Sequence, residues 1–306
     1  MKQIHRNNLW AYSSFAGAMC CAVALCVIGM LYVHSASRHE LDRVSFRLMT
    51  WSLVSNTIFG ITSGCVGFMT EPAWGCRFAV WIKSIQLTLH ISTFLLFCIA
   101  LNLHLVILHN VRGENLEKWY YIGSVLLALV LTIPPLVAKQ YGWDDVVGTC
   151  WYANRGDVSE RIRWQVATQL FWSMACALGE LVVFVSVFTH MLRHHVRPFS
   201  LRLHRRSSLT MATAVARQRS SQHYTITHRG VIIRIALYPI ASFILNSIII
   251  ACDLQSTVSS SLPHRATKAT YGVRLLNDFC YGGRGIVYAI LGITDPVSPR
   301  PLQYTY

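Results

Sequence analysis

The chain has 306 residues, of which 53% are apolar and 13% charged, with a net charge of +14 and a mean hydropathy of +0.41. Soluble domains carry about a quarter charged residues, so half the usual charge is missing, and the apolar residues lie in long runs. This excludes disorder, a collagen-like repeat and a disulfide-rich miniprotein, and leaves a chain whose main solvent is lipid; the basic excess reads as contact with anionic lipid rather than with nucleic acid.

About 20 apolar residues cross a hydrocarbon core roughly 30 Å thick. Seven stretches qualify: 10–33, 48–69, 78–109, 119–138, 164–191, 230–252 and 270–294. They predict an all-α membrane protein, a seven-transmembrane helix bundle preceded by a short extracellular N-terminus (1–9), carrying a basic third cytoplasmic loop (192–229) and ending in a short cytoplasmic tail (295–306). The first run lacks the basic segment, short apolar core and small-residue cleavage site of a signal peptide, so it reads as a retained span. Connections one, three and five and the tail hold fourteen basic residues, against ten on the other side that are interleaved with acids. Positive-inside orientation then puts the N-terminus outside and the C-terminus in the cytosol, in a multi-pass protein of the plasma membrane.

Cys20, Cys21, Cys26, Cys65, Cys98, Cys176, Cys252 and Cys280 lie in or beside apolar runs, where a thiol behaves as a small hydrophobe. Cys76 opens helix three and Cys150 lies in the polar loop after helix four, both on the oxidising side. They are expected to form a disulfide over the bundle mouth; two free thiols are the alternative.

Along helix three, Lys83, Gln86, His90 and Phe94 share one face and form a polar stripe. Lys83, and Asp278 on helix seven, sit about 10–12 Å below the outer surface at 1.5 Å per residue. They either pair across a ligand cavity, or Lys83 snorkels outward while Asp278 bonds its own backbone. Arg274 and Trp151 join Lys83, Gln86, His90 and Asp278 as ligand-cavity candidates. Deeper, His90, Glu180 and Arg284 are expected to share a layer near mid-membrane. Buried charges of this kind are costly and need partners, so Glu180 and Arg284 are candidates for an intramembrane switch or a permanent clamp. Pro134 and Pro135 are expected to bend helix four, and Pro239 helix six, where a bend allows the inner half to swing. At the inner end of helix three, Asn102 and His104 join Arg112, Arg205 and Arg206 as residues facing a cytosolic partner. Asn102 has interhelical hydrogen bonding as its default role. Arg205 and Arg206 precede Ser207 and Ser208, an arrangement basophilic kinases accept; Ser208 is the phosphorylation candidate.

Several stretches carry a resemblance: LDRVSFRL (41–48), IALNLHLV (99–106), ENLEKWYYIGS (114–124), QYGWDD (140–145) with CWY (150–152), RIALYPIASFILN (234–246) and DFCYGGRGIVYAILGITDP (278–296). In this order and spacing they resemble the fungal G-protein-coupled receptors related to slime-mould cAMP receptors. The resemblance implies a plasma-membrane receptor that relays an unknown small extracellular ligand to a heterotrimeric G protein through Gα, in cAMP or nutrient signalling. The short tail departs from that pattern; it implies loss of tail-dependent desensitisation, or a sequence cut short. A seven-helix small-solute transporter is the alternative, although no internal repeat is visible. Retinal binding would need a lysine in the last helix beyond Lys268, and none is there. His90 with Glu180 is too sparse for a hydrolase, so neither enzymatic activity nor a metal or other cofactor is expected.

Overall fold

The computed structural model describes residues 2–34, 43–69, 85–109, 111, 113–144, 149–152, 158–204, 239–258 and 268–294. These residues form seven helices and one β-hairpin. In chain order they are α1 (Lys2–Val33), α2 (Val44–Gly67), α3 (Ile85–His109), α4 (Glu114–Val137), β1 (Tyr141–Asp144), β2 (Thr149–Tyr152), α5, α6 (Pro239–Val258) and α7 (Lys268–Thr294). Helix α5 is continuous through three segments: α-helical Val158–Gln165, a π-helical turn at Val166–Leu170, and α-helical Phe171–His204.

Five of the helices are long and apolar enough to cross a membrane: Asn8–Val33, Gln86–His109, Asn115–Val137, Ser159–His190 and Pro239–Val258. The chain is an all-α multi-pass membrane protein. Helices α2 and α7 are less apolar because they face neighbouring helices. Fourteen of the 24 residues of α2 are buried, among them Ser52, Ser55, Asn56 and Ser63. Helix α7 buries Asn277 and Arg284.

The helices run further than the apolar runs predict. Helix α1 begins at Lys2 rather than at residue 10, α2 at Val44, α4 at Glu114, and α6 extends to Val258. The stretch expected as a loop from residue 192 continues α5 helically to His204. In each case an apolar count stops at the first charged residues, while backbone hydrogen bonding continues into a polar end. Arg47 and Glu117 illustrate this: both lie inside helices and form a 2.5 Å ion pair joining α2 to α4. Pro134 and Pro135 fall in the last turn of α4, where they lead into its end. Lys139 follows in the left-handed region with φ 58°, and the backbone N–H of Gln140 donates to the Pro135 carbonyl at 2.8 Å. The described part of α6 opens on Pro239, so the expected swing of its inner half lies outside the described residues.

Helices α1, α2 and α7 form the most closely packed part of the bundle. Small residues let the backbones approach, the usual basis of helix association in lipid. A side chain at Gly282 would collide with Ser13, and a Cβ at Gly17 would lie 2.5 Å from the Gly282 carbonyl. Buried polar side chains add to this: Ser14 of α1 donates to Ser63 of α2 at 3.2 Å, and Asn56 Nδ2 donates to Ser92 Oγ at 2.6 Å, tying α2 to α3.

Substituting Gly282→Val is therefore expected to lower stability by about 1–3 kcal/mol through overpacking. The adjacent Gly283→Ala, whose Cβ meets nothing within 4 Å, is expected to be silent. Thermal unfolding of the detergent-purified variants, followed by size exclusion, checks both.

Candidate functional site

The hairpin closes one end of the bundle. Strand β1 pairs antiparallel with β2, with Tyr141 opposite Tyr152 and Trp143 opposite Cys150. Alternation along the strands buries Tyr141, Cys150 and Tyr152 beside Trp10, Leu89 and Tyr281. The Tyr152 hydroxyl lies 2.7 Å from Thr168 Oγ1, which itself donates to the Trp164 carbonyl. The Trp151 ring meets Tyr281 of α7 edge-on, with centroids 6.0 Å apart.

Beneath the hairpin a hydrogen-bond chain crosses four helices. Gln86 Nε2 of α3 donates to Gln169 Oε1 of α5 at 2.9 Å, and Gln169 Nε2 donates to the Tyr281 hydroxyl of α7. That hydroxyl donates to Asp253 Oδ2 of α6 at 2.7 Å, and Asn277 Nδ2 donates to Asp253 Oδ1 at 2.6 Å. One turn away, Thr257 Oγ1 donates to Gln165 Oε1 at 3.0 Å. The buried Arg161 supplies positive charge to Asp253. The π-turn helps assemble this cluster. Its extra residue disturbs the backbone ladder and leaves carbonyls for side chains: Ala167 accepts the Trp172 indole N–H at 3.1 Å, and Thr168 accepts the His90 ring N–H.

Deeper, Arg284 of α7 is buried. Its Nη2 is 3.5 Å from Thr93 Oγ1, and its guanidinium lies over Phe59 and Tyr288, 5.8 and 5.5 Å from their ring centroids. Ser242 of α6 hydrogen-bonds Glu180, and the charges of Arg284 and Glu180 act on one another. The predicted layer of His90, Glu180 and Arg284 is thus assembled, as a neighbourhood rather than as direct contacts. Gln86, His90 and Phe94 are buried together on one face of α3. Asp278 lies near α1, where its backbone carbonyl accepts from Ser13 Oγ at 3.5 Å, and Arg274 is half-buried one turn away. Lys83 and Cys76 lie outside the described residues. Cys150 is not among the free cysteines, whereas the eight in or beside apolar runs are.

At the opposite end, Asn102 is buried and its Nδ2 donates to Ser45 Oγ of α2 at 3.2 Å, the interhelical role expected of it by default. His104 Nε2 lies 3.4 Å from Ser186 Oγ of α5, and its ring is 5.5 Å from that of His109. Arg112, Arg205, Arg206 and Ser208 lie outside the described residues.

Asp253, Gln169, Tyr281, Asn277, Gln165 and Arg161 were not among the predicted site residues. Their signal was present as i, i+4 spacings of polar residues, Arg161–Gln165–Gln169, Asp253–Thr257 and Asn277–Tyr281.

No protein-family model matches the chain. A 59-residue stretch, 19% of the chain, is 39% identical to the Frizzled/smoothened-like sans CRD protein A of Dictyostelium discoideum, and spans 11% of that protein's length.

Tyr281→Phe removes the donor to Asp253 and the acceptor for Gln169, leaving both buried groups short of a partner. A loss of about 1–3 kcal/mol is expected in thermal unfolding. Burial pushes the Tyr152 phenol up to about 12 from the usual 10.0. The folded hairpin holds this proton more tightly than an unfolded chain, so its stabilising effect is complete below the ordinary value and is lost as pH rises toward about 12. Ultraviolet titration of wild type against Tyr152→Phe checks this: the variant is expected to lose one tyrosine from the late-ionising fraction.

Proposed function

We propose that this chain is a seven-helix receptor that relays a small extracellular ligand to a heterotrimeric G protein. All seven helices cross the membrane, with the hairpin end outside. Outward-facing Trp51, Ile58 and Ile61 on α2 and Phe279 and Ile290 on α7 support spans for the two more polar helices. The positive-inside bias supports the orientation. In this reading Cys76 and Cys150 bridge helix three to the hairpin, the membrane is the plasma membrane, and the pathway is that of the fungal cAMP-receptor-like proteins. The similarity to a protein named Frizzled/smoothened-like supports a receptor of this general architecture.

The observation that carries the reading is the Tyr281 junction. One side chain meets the hairpin through Trp151 and, through its hydroxyl, holds α5 and α6 by Gln169 and Asp253. A ligand that displaced Trp151 would act on three helices at once. On the cytosolic side the same helices border the basic segment 192–229, which rests on anionic lipid and, with the loop around Arg112, faces Gα. Arg205, Arg206 and Ser208 belong to that segment; phosphorylation of Ser208 would neutralise part of it.

Two measurements test this. A tag on the N-terminus is expected to bind antibody on intact cells and a tag on the C-terminus only after permeabilisation; equal access of both refutes an odd number of spans. Membranes co-expressing the chain with a fungal Gα are expected to exchange guanine nucleotide faster when a small-molecule library is applied, and cellular cAMP to follow. Solute flux without nucleotide exchange would replace the receptor by a transporter.

A further inference from the structure

Among the described residues, four buried polar atoms near mid-bundle have no hydrogen-bond partner: Gln86 Oε1 and His90 Nδ1 on α3, Glu180 Oε1 on α5 and Arg284 Nε on α7. Their residues are only 0%, 1%, 2% and 3% exposed. They belong to one neighbourhood. Gln86 stands one helical turn from His90, and the charge of Arg284 acts on both His90 and Glu180. Each such buried atom left unsatisfied costs about 1–3 kcal/mol, and four together are a large fraction of a bundle's stability.

The chemistry of the four atoms restricts what can satisfy them. With its other ring N–H donated to the Thr168 carbonyl, the His90 Nδ1 is an acceptor, as are the Gln86 and Glu180 oxygens; Arg284 Nε is a donor. An anion would face the Glu180 carboxylate and two further acceptors. A cation would face the Arg284 guanidinium. An apolar occupant would leave all four atoms unsatisfied. Small neutral groups that both donate and accept satisfy every one.

We propose that internal water bridges Gln86, His90, Glu180 and Arg284, so that hydrogen bonds through water join Arg284 of α7 to Glu180 of α5. Among the described residues no direct ion pair joins the two, while each is held from the side, Arg284 by Thr93 and Glu180 by Ser242. Water in such a site makes about three hydrogen bonds, and since each molecule donates only two, three acceptors and one donor call for two waters. The inference goes beyond the receptor reading and does not rest on it, since the same site would serve a transporter.

Radiolytic hydroxyl-radical footprinting, which marks side chains beside internal water, tests it on the purified full chain in detergent. After correction for intrinsic reactivity, Phe59, His90 and Tyr288 are expected to be labelled several-fold more than Phe46 and Leu48, which are equally buried elsewhere. Equal labelling of the two sets overturns the proposal. In a second arm, Glu180→Met with Arg284→Met replaces both charges by apolar side chains. Labelling of Phe59 and Tyr288 is expected to fall to the Phe46 level in the fraction that elutes as folded protein. Glu180→Gln, which keeps the polar shape and folds more readily, is expected to retain the labelling. Unchanged labelling in the double variant, or its loss in Glu180→Gln, overturns the proposal.

Discussion

A polar group inside a lipid-embedded bundle has no bulk water to fall back on, and this single constraint organises the molecule. The Tyr281 hydroxyl meets it by accepting from Gln169 and donating to Asp253. Asp253 meets it with two side-chain donors and the positive charge of Arg161. Removing any one of these groups exposes the next, so the helices they sit on are held in one relative arrangement. Hydrogen bonds between membrane helices are individually modest, roughly 0.6–2 kcal/mol, but a chain of them fixes geometry more than it adds stability.

The bundle divides its labour between two kinds of contact. Where α1 meets α2 and α7, glycine and serine allow close backbone approach and the packing is dense. Where α5, α6 and α7 converge under the hairpin, the contacts are long polar side chains with several rotamers each. The first arrangement resists deformation because no side chain can move aside. The second is held by hydrogen bonds, so it can change only where each amide and hydroxyl finds a new partner. In the proposed receptor, a fixed frame beside this polar junction would let a local event at the hairpin change helix positions without unfolding the protein.

Much of this was legible in the amino-acid sequence, and what was not has a physical cause. The helix number and type followed from apolar runs such as Trp10–Val33, because lipid demands them. The helix ends did not, because Arg47 and Glu114 continue helices that hydropathy closes. Glu180 and Arg284 were readable as buried charges: both stand in apolar runs, and their cost makes them conspicuous. The junction itself was hidden. Asp253 sits at the end of an apolar run, where an acid looks like an interfacial residue, and Gln169 and Tyr281 are uncharged. What brings them together is the convergence of α5, α6 and α7, a tertiary fact that the spacing within each helix does not reveal. The π-turn at Val166–Leu170 was equally invisible, since VATQL carries no signature that distinguishes it from α-helix.

That turn has a consequence for how the chain can vary. A π-helical turn accommodates one residue more than a regular helix over the same length. Removing a single residue there would restore a regular α-helical turn and leave the segments on either side facing as they do, with Arg161 and Gln165 still toward Asp253 and Thr257. What would be lost are the carbonyls the wide turn frees, those that take the Trp172 indole and the His90 ring. The same deletion in the regular helix that follows would turn everything before it by about 100°. A one-residue difference in length can therefore be absorbed at Val166–Leu170 and nowhere in the regular turns beside it.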